Sequence, residues 1–186
     1  MPFVETGFPG LLIFEPKIFE DRRGYFYESY NQNTFAEHGI NIKFIQDNHS
    51  LSNYGVIRGL HYQSAPYAQT KLIRVINGCI KDVAVDLRSG SPTYGQHFGI
   101  VLTGKNKKQL LIPKGFAHGY AVLSATAEIL YKCDTAYHKK SEKGLIFNDP
   151  SLNINWQIPE AKIIVSLKDA QLPVLNVFTN DFVFAE

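Results

Sequence analysis

KLIRVI-NG-CIKDVAVDLR, residues 71–88, is the stretch whose reading decides the fold. Two apolar runs, Lys71–Ile76 and Cys79–Arg88, flank Asn77-Gly78. That pair readily takes the positive φ angles of a type I′ turn, so the spacing predicts a β-hairpin. Beyond the turn, Lys81, Val83, Val85 and Leu87 share one face while Asp82, Ala84, Asp86 and Arg88 share the other, the period of two that marks a strand. Ser89-Gly90-Ser91-Pro92 then breaks the chain. Gly99–Thr103 and Gln109–Ile112 read as further strands around Gly104–Lys108. The alternation returns over Ala127–Cys133, with Ala127, Ile129, Tyr131 and Cys133 on one side. Helical signal is confined to Asn33–Gly39, a short helix with a glycine stop, and to a turn near Asp169–Leu172.

Composition supports the same picture. Thirteen Phe, ten Tyr and one Trp, with 14 Gly and nine Pro, favour short strands joined by tight turns. Strands at this spacing predict a jelly-roll sandwich or barrel. The 186 residues fit one domain, 1–186, since domains usually run to about 100–200 residues. A hydrophobic fraction of 45% is too high for a disordered chain. A net charge of +2 without a basic stripe argues against nucleic acid as a partner. Apolar runs such as Leu11–Phe14 and Ile100–Leu102 are far too short to span a membrane. Glu5 precedes the first basic residue, Lys17, an order unlike a secretory signal. Cys79 and Cys133 form neither a metal motif nor a disulfide framework, which suits a reducing compartment and predicts a cytoplasmic protein.

Three segments are richer in polar residues than a β-core needs: Gly55–Gln63 leading through Gln69 to Lys71, Ile112–Gly119, and Val165–Asp169. The first two resemble the paired signature of the cupin superfamily, a jelly-roll barrel. Gly55, five residues and His61 fit the first motif, as do Lys71, six residues and Gly78; Pro113, Gly115 and His118 fit the second. The second histidine of the usual pair is replaced by Gln63, and the usual glutamate by Lys71. A divalent-metal site there needs about three imidazoles and a carboxylate. An ammonium at a ligand position repels a cation. The expectation is an all-β cupin jelly-roll barrel or sandwich, with one or two short helices and no metal.

The resemblance extends further. Asp21–Glu28, Gln46-Asp47-Asn48, Arg58–Gln63, Asp82–Arg88, Ser91–Gly95, Gly115–Gly119, Asn148-Asp149-Pro150 and Ser166–Asp169, with Tyr131-Lys132-Cys133 among them, are similar to blocks of the dTDP-4-dehydrorhamnose 3,5-epimerase family, in order from about Phe14 to Leu175. The family inverts C3 and C5 of a dTDP-4-keto-6-deoxyhexose, both α to the ketone, in the route to dTDP-L-rhamnose. Inversion needs a base, an oxyanion stabiliser and an acid, and no cofactor. The resemblance implies His61 as base, Asp169 as its orienting carboxylate, Tyr131 as acid and Lys71 near the oxyanion, with Arg58 and His118 lining the cavity. It implies that Arg23, Glu28, Gln46, Asn48 and Lys168 hold the thymidine diphosphate, with Glu142 nearby. Tyr137 would pack on bound ligand, with Phe19 or Phe26 on the other face of the base. Arg23 and Glu28 would come from the partner subunit of a homodimer, strand or loop exchange completing the site.

The residues alone leave plainer readings open. Tyr131 shares a strand face with Ile129 and Cys133, which by periodicity is core. His61 and Asp169 are 108 positions apart, and nothing in the sequence brings them together. His38, His49, His97 and His138 read as structural. Family members often carry a Pro pair and a Trp where this chain has Ala65-Pro66 and Phe147, which leaves substrate detail open and not the reaction type; an epimerase of C3 alone or C5 alone, with the same base and acid, is an alternative. A metal-dependent cupin enzyme and a non-enzymatic sugar-nucleotide-binding jelly roll are the remaining alternatives.

Overall fold

The computed structural model describes residues 2–177 and 182–184. Its strands are β1 (Phe3–Glu5), β2 (Leu12–Phe14), β3 (Phe19–Asp21), β4 (Gly24–Phe26), β5 (Gln46–Asn53), β6 (Ile57–Gln63), β7 (Lys71–Asn77), β8 (Cys79–Asp86), β9 (His97–Thr103), β10 (Gln109–Ile112), β11 (Phe116–Val122), β12 (Thr126–Cys133) and β13 (Glu142–Gly144). Helix α1 (Gln32–Glu37) follows β4. A six-stranded sheet runs β1-β2-β10-β7-β12-β5 and a five-stranded sheet β13-β6-β11-β8-β9. Among the described residues, strands β3 and β4 pair only with each other. This is the expected all-β jelly roll. No helix among the described residues is long and apolar enough to cross a membrane.

The Asn77-Gly78 hairpin is not formed. Strand β7 lies between β10 and β12, and β8 lies between β11 and β9, so the two belong to opposite sheets. The turn is a corner at which the chain crosses the sandwich. Asn77 remains in the extended strand, and Gly78 alone takes a positive φ of 85°. A Cβ on Gly78 would sit 2.2 Å from the Thr126 carbonyl oxygen, so close approach to β12 demands glycine as well. The Cys79 N–H is taken by Ser124 Oγ at 2.8 Å and the Gly78 carbonyl by the Gly104 N–H at 3.1 Å, not by a hairpin partner.

The alternation along β8 is real but serves two apolar surroundings. Ile80 and Ala84 join the core between the sheets, with Ile73, Leu110, Ile129 and Phe116. Val83, Val85 and Leu87 face the outer layer made by Leu145, Leu152 and Trp156. The strand stops at Asp86, two residues earlier than expected, because the Asp86 carboxylate takes the Arg88 N–H at 3.0 Å and turns the chain. Across the other sheet, α1 is capped by Asn31, whose side chain accepts the Asn33 N–H, and buries Phe35 against Phe14, Leu72 and Leu111.

Candidate active site

The sandwich opens between β5 on one sheet and the β6–β13 edge of the other. A cleft of about 220 Å³ there is lined by Gln46, Asn48, His61, Lys71, Tyr131, Tyr137 and Glu142, among others. Seven of the predicted site residues therefore meet in one place. His61 comes from β6, with His118 and Gly144 as its register partners on either side. Tyr131 comes from β12 in the opposite sheet, beside Asn48 of β5.

Asp169 reaches His61 from a 3-10 turn, Asp169–Gln171, where the sequence predicted a turn. Its Oδ1 lies 2.8 Å from His61 Nε2 and its Oδ2 accepts the Gly59 N–H at 3.4 Å. Burial pushes the Asp169 carboxyl up, but the bonds from His61, Gly59 and Ser166 hold it below the usual carboxylate range. Nδ1 of His61 has no hydrogen-bond partner among the described residues, so the imidazole is fixed at one nitrogen and available at the other.

Burial drives the Tyr131 phenol up to about 12, with Cys133 and Tyr120 adding to the effect and Arg58 opposing it. It is thus neutral at physiological pH and can give a proton. Burial lowers Lys71 from the usual lysine value, while Cys133, Asp82 and Glu142 act in the opposite direction.

The remaining predicted residues divide. Lys168 and the Tyr137 hydroxyl both bond Glu142 Oε2, joining the loop that bears Asp169 to β13. Burial pushes Glu142 up, but Lys168, Tyr137 and His61 hold it below the usual carboxylate range. Arg58 bonds Ser52 Oγ at 3.1 Å and acts on Tyr131 through its charge. His118 turns toward Asp82, 2.7 Å away, and both are buried. Arg23 pairs with Asp21 on the exposed β3–β4 hairpin, and Glu28 bonds Asn31; neither lines this chain's cleft. Sequence reasoning missed Asp82 as the partner of His118, although an aspartate between Ile80 and Ala84 on an apolar strand face was a signal. Gln63, read from the sequence only as a lost metal ligand, and Gln69, quoted only within a segment, also line the cleft.

The donor set does not fit a metal. Gln63 spends its amide on the Tyr67 and Ala136 carbonyls and the His138 N–H, His118 is bound to Asp82, and Lys71 brings a cation. Among the described residues no three His, Cys, Asp or Glu side chains form a metal-holding group.

The profile of the dTDP-4-dehydrorhamnose 3,5-epimerase family matches residues 5–177. The dTDP-4-dehydrorhamnose 3,5-epimerase of Shigella flexneri is 52% identical over 159 residues, covering 85% of this chain and 88% of that protein. That of Salmonella typhimurium is 49% identical over 180 residues, covering 95% and 96%. The crystal structure of dTDP-6-deoxy-D-glucose-3,5-epimerase from Legionella pneumophila, in complex with dTDP-4-keto-L-rhamnose, superposes with a TM-score of 0.94 at 47% identity, covering 98% of each chain. A histidine and a tyrosine facing one cleft from two sheets of a jelly roll, within a likeness that runs nearly end to end, leave one conclusion: this chain belongs to the dTDP-4-dehydrorhamnose 3,5-epimerase family.

Proposed function

We propose that the protein is a dTDP-4-dehydrorhamnose 3,5-epimerase that inverts C3 and C5 of a dTDP-4-keto-6-deoxyhexose, with His61 as base and Tyr131 as acid. The observation that carries this reading is the placement of these two side chains on opposite sheets around one cleft. His61 takes the proton from the carbon next to the ketone, and the C–H electron pair moves into the enolate. Asp169 stabilises the imidazolium that forms. The Lys71 ammonium faces the enolate oxygen, where a fixed positive charge lowers the barrier. Tyr131 returns a proton to the other face of the ring. Imidazolium and phenolate then exchange protons with water, which restores both groups before the second carbon reacts. Nothing is oxidised or reduced.

Gln46, Asn48, Tyr137, Glu142 and Lys168 are assigned to the nucleotide end. Arg23 and Glu28 are assigned to a second subunit's cleft, making the working unit a homodimer. The same reading puts the enzyme in the cytoplasm. Incubation with dTDP-4-keto-6-deoxyglucose in deuterated water tests it. NMR should show deuterium at both C3 and C5, and His61→Ala should lose that exchange. Label at one carbon reduces the assignment to a mono-epimerase, and wild-type exchange in His61→Ala removes His61 as the base.

A further inference from the structure

Residues 134–138 leave the β12 ladder and run to Tyr137 without strand pairing. A segment with free backbone groups at the mouth of a cleft must find partners for them elsewhere. It finds them in three glutamine side chains. Gln69 Nε2 donates to the Thr135 carbonyl at 2.7 Å. Gln63 Nε2 donates to the Ala136 carbonyl at 3.3 Å, and Gln63 Oε1 accepts the His138 N–H at 2.6 Å. Gln46 Oε1 accepts the Tyr137 N–H at 2.9 Å. Four consecutive residues are thus each held through the backbone by a side-chain amide, and all three amides line the cleft. Gln63 also reaches the Tyr67 carbonyl at 2.7 Å, and the Tyr67 ring stacks on His138 at 3.8 Å between centroids. One buried side chain therefore clamps two loops, 64–67 and 135–138.

The chemistry of the position explains the residue. Only a carboxamide offers two N–H donors and a carbonyl acceptor from one uncharged group, which is what two carbonyls and one N–H demand. An imidazole has too few donors, and a carboxylate would face the two carbonyls with none. Gln63 stands at the second-histidine position of the metal-bearing cupin pattern, so its amide is there to hold a loop.

We propose that Gln63 and Gln69 are positioning residues for Tyr137, fixing residues 135–138 so that its ring stands at the nucleotide end of the cleft. Neither is required to touch the reacting carbons. The inference rests on the nucleotide-end assignment given above for Tyr137.

Gln63→Leu, Gln63→Glu and Gln69→Leu test it, with dTDP as the calorimetric probe. Each should weaken dTDP binding and raise KM by about tenfold, the equivalent of losing one good interaction. The value of kcat should stay within about twofold, because proton transfer lies outside the clamp. In the protein without ligand, amide exchange over 134–138 should accelerate. Gln69 is only partly buried, so Gln69→Leu serves should the Gln63 variants fail to fold. Unchanged exchange with unchanged dTDP affinity overturns the proposal, as does a fall in kcat at unchanged KM. Faster loop exchange with unchanged dTDP affinity also overturns it, since the clamp would then not serve the ligand. Failure of the epimerase reading looks different: the wild type would bind dTDP, lose affinity on clamp removal, and incorporate no deuterium into the sugar.

Discussion

Asp86 shows how a single buried charge is held. It accepts the Arg88 N–H, two guanidinium N–H groups, and the Ser91 and Thr93 hydroxyls, while the Arg88 guanidinium lies over the rings of Phe116 and Phe184. Removing the carboxylate strands the arginine, so Asp86→Ala should cost about 3–5 kcal/mol in urea unfolding. Burial pushes the Asp86 carboxyl up, but Arg88, Ser91 and Thr93 hold it below the usual range. A carboxyl lowered on folding stabilises the protein above its unfolded value of about 3.9, and that stability is lost as pH falls through the lower folded value. The urea midpoint should therefore drop on acidification below about pH 4, and Asp86→Asn should flatten the decline. Tyr131 makes a kinetic counterpart. With its phenol pushed up to about 12, Tyr131 stays protonated through the physiological range, so a loss of kcat at about pH 8 or 9 does not belong to it. Tyr131→Phe should slow inversion by about 10²–10⁴. Lys71, whose pKa burial holds below the usual lysine value, should contribute an alkaline limb to kcat/KM as its ammonium deprotonates, and an active Lys71→Arg should shift that limb to higher pH.

Strands β6 and β11 pass unusually close at Gly59. Its φ is +117°, and a Cβ there would meet Gly119 Cα at 2.5 Å and the His118 carbonyl oxygen at 2.6 Å. Both contacts are backbone, so the strands must part where His61 and His118 are register partners. Gly59→Ala should destabilise by more than about 2 kcal/mol and depress activity further, measured by urea unfolding and by deuterium exchange into substrate. The same elements show what the sequence could disclose. Strand positions 109–112 and 127–133, a turn near Asp169 and the overall β-class were legible because alternation and turn residues are local signals. The partner of β8 was not. Asn77-Gly78 specifies a sharp turn in either a hairpin or a sheet-crossing corner, and only the pairing of β7 with β12 and of β8 with β11 decides between them. His61–Asp169 and His118–Asp82 likewise join residues 108 and 36 positions apart, which no period reveals. Motif similarity supplied the first of these pairs and not the second.

Seen across the molecule, Arg23 and Glu28 stand away from the cleft of their own chain, and the β3–β4 hairpin exposes Phe19 and Phe26 at 53% and 68%. The proposed exchange between subunits makes a direct prediction. Arg23→Ala and His61→Ala homodimers, each inactive, should regain about a quarter of wild-type sites when unfolded and refolded together. No recovery means that Arg23 serves its own chain or serves no site. The two-sheet placement of His61 and Tyr131 carries a different consequence. Base and acid ride on separate slabs, and the filling between them, Ile73, Leu110 and Ile129 among others, is the spacer that sets their gap. Thinning that spacer, as with Ile129→Val, should blunt turnover while the melting transition stays sharp, so the catalytic rate acts as a caliper for the thickness of the sandwich.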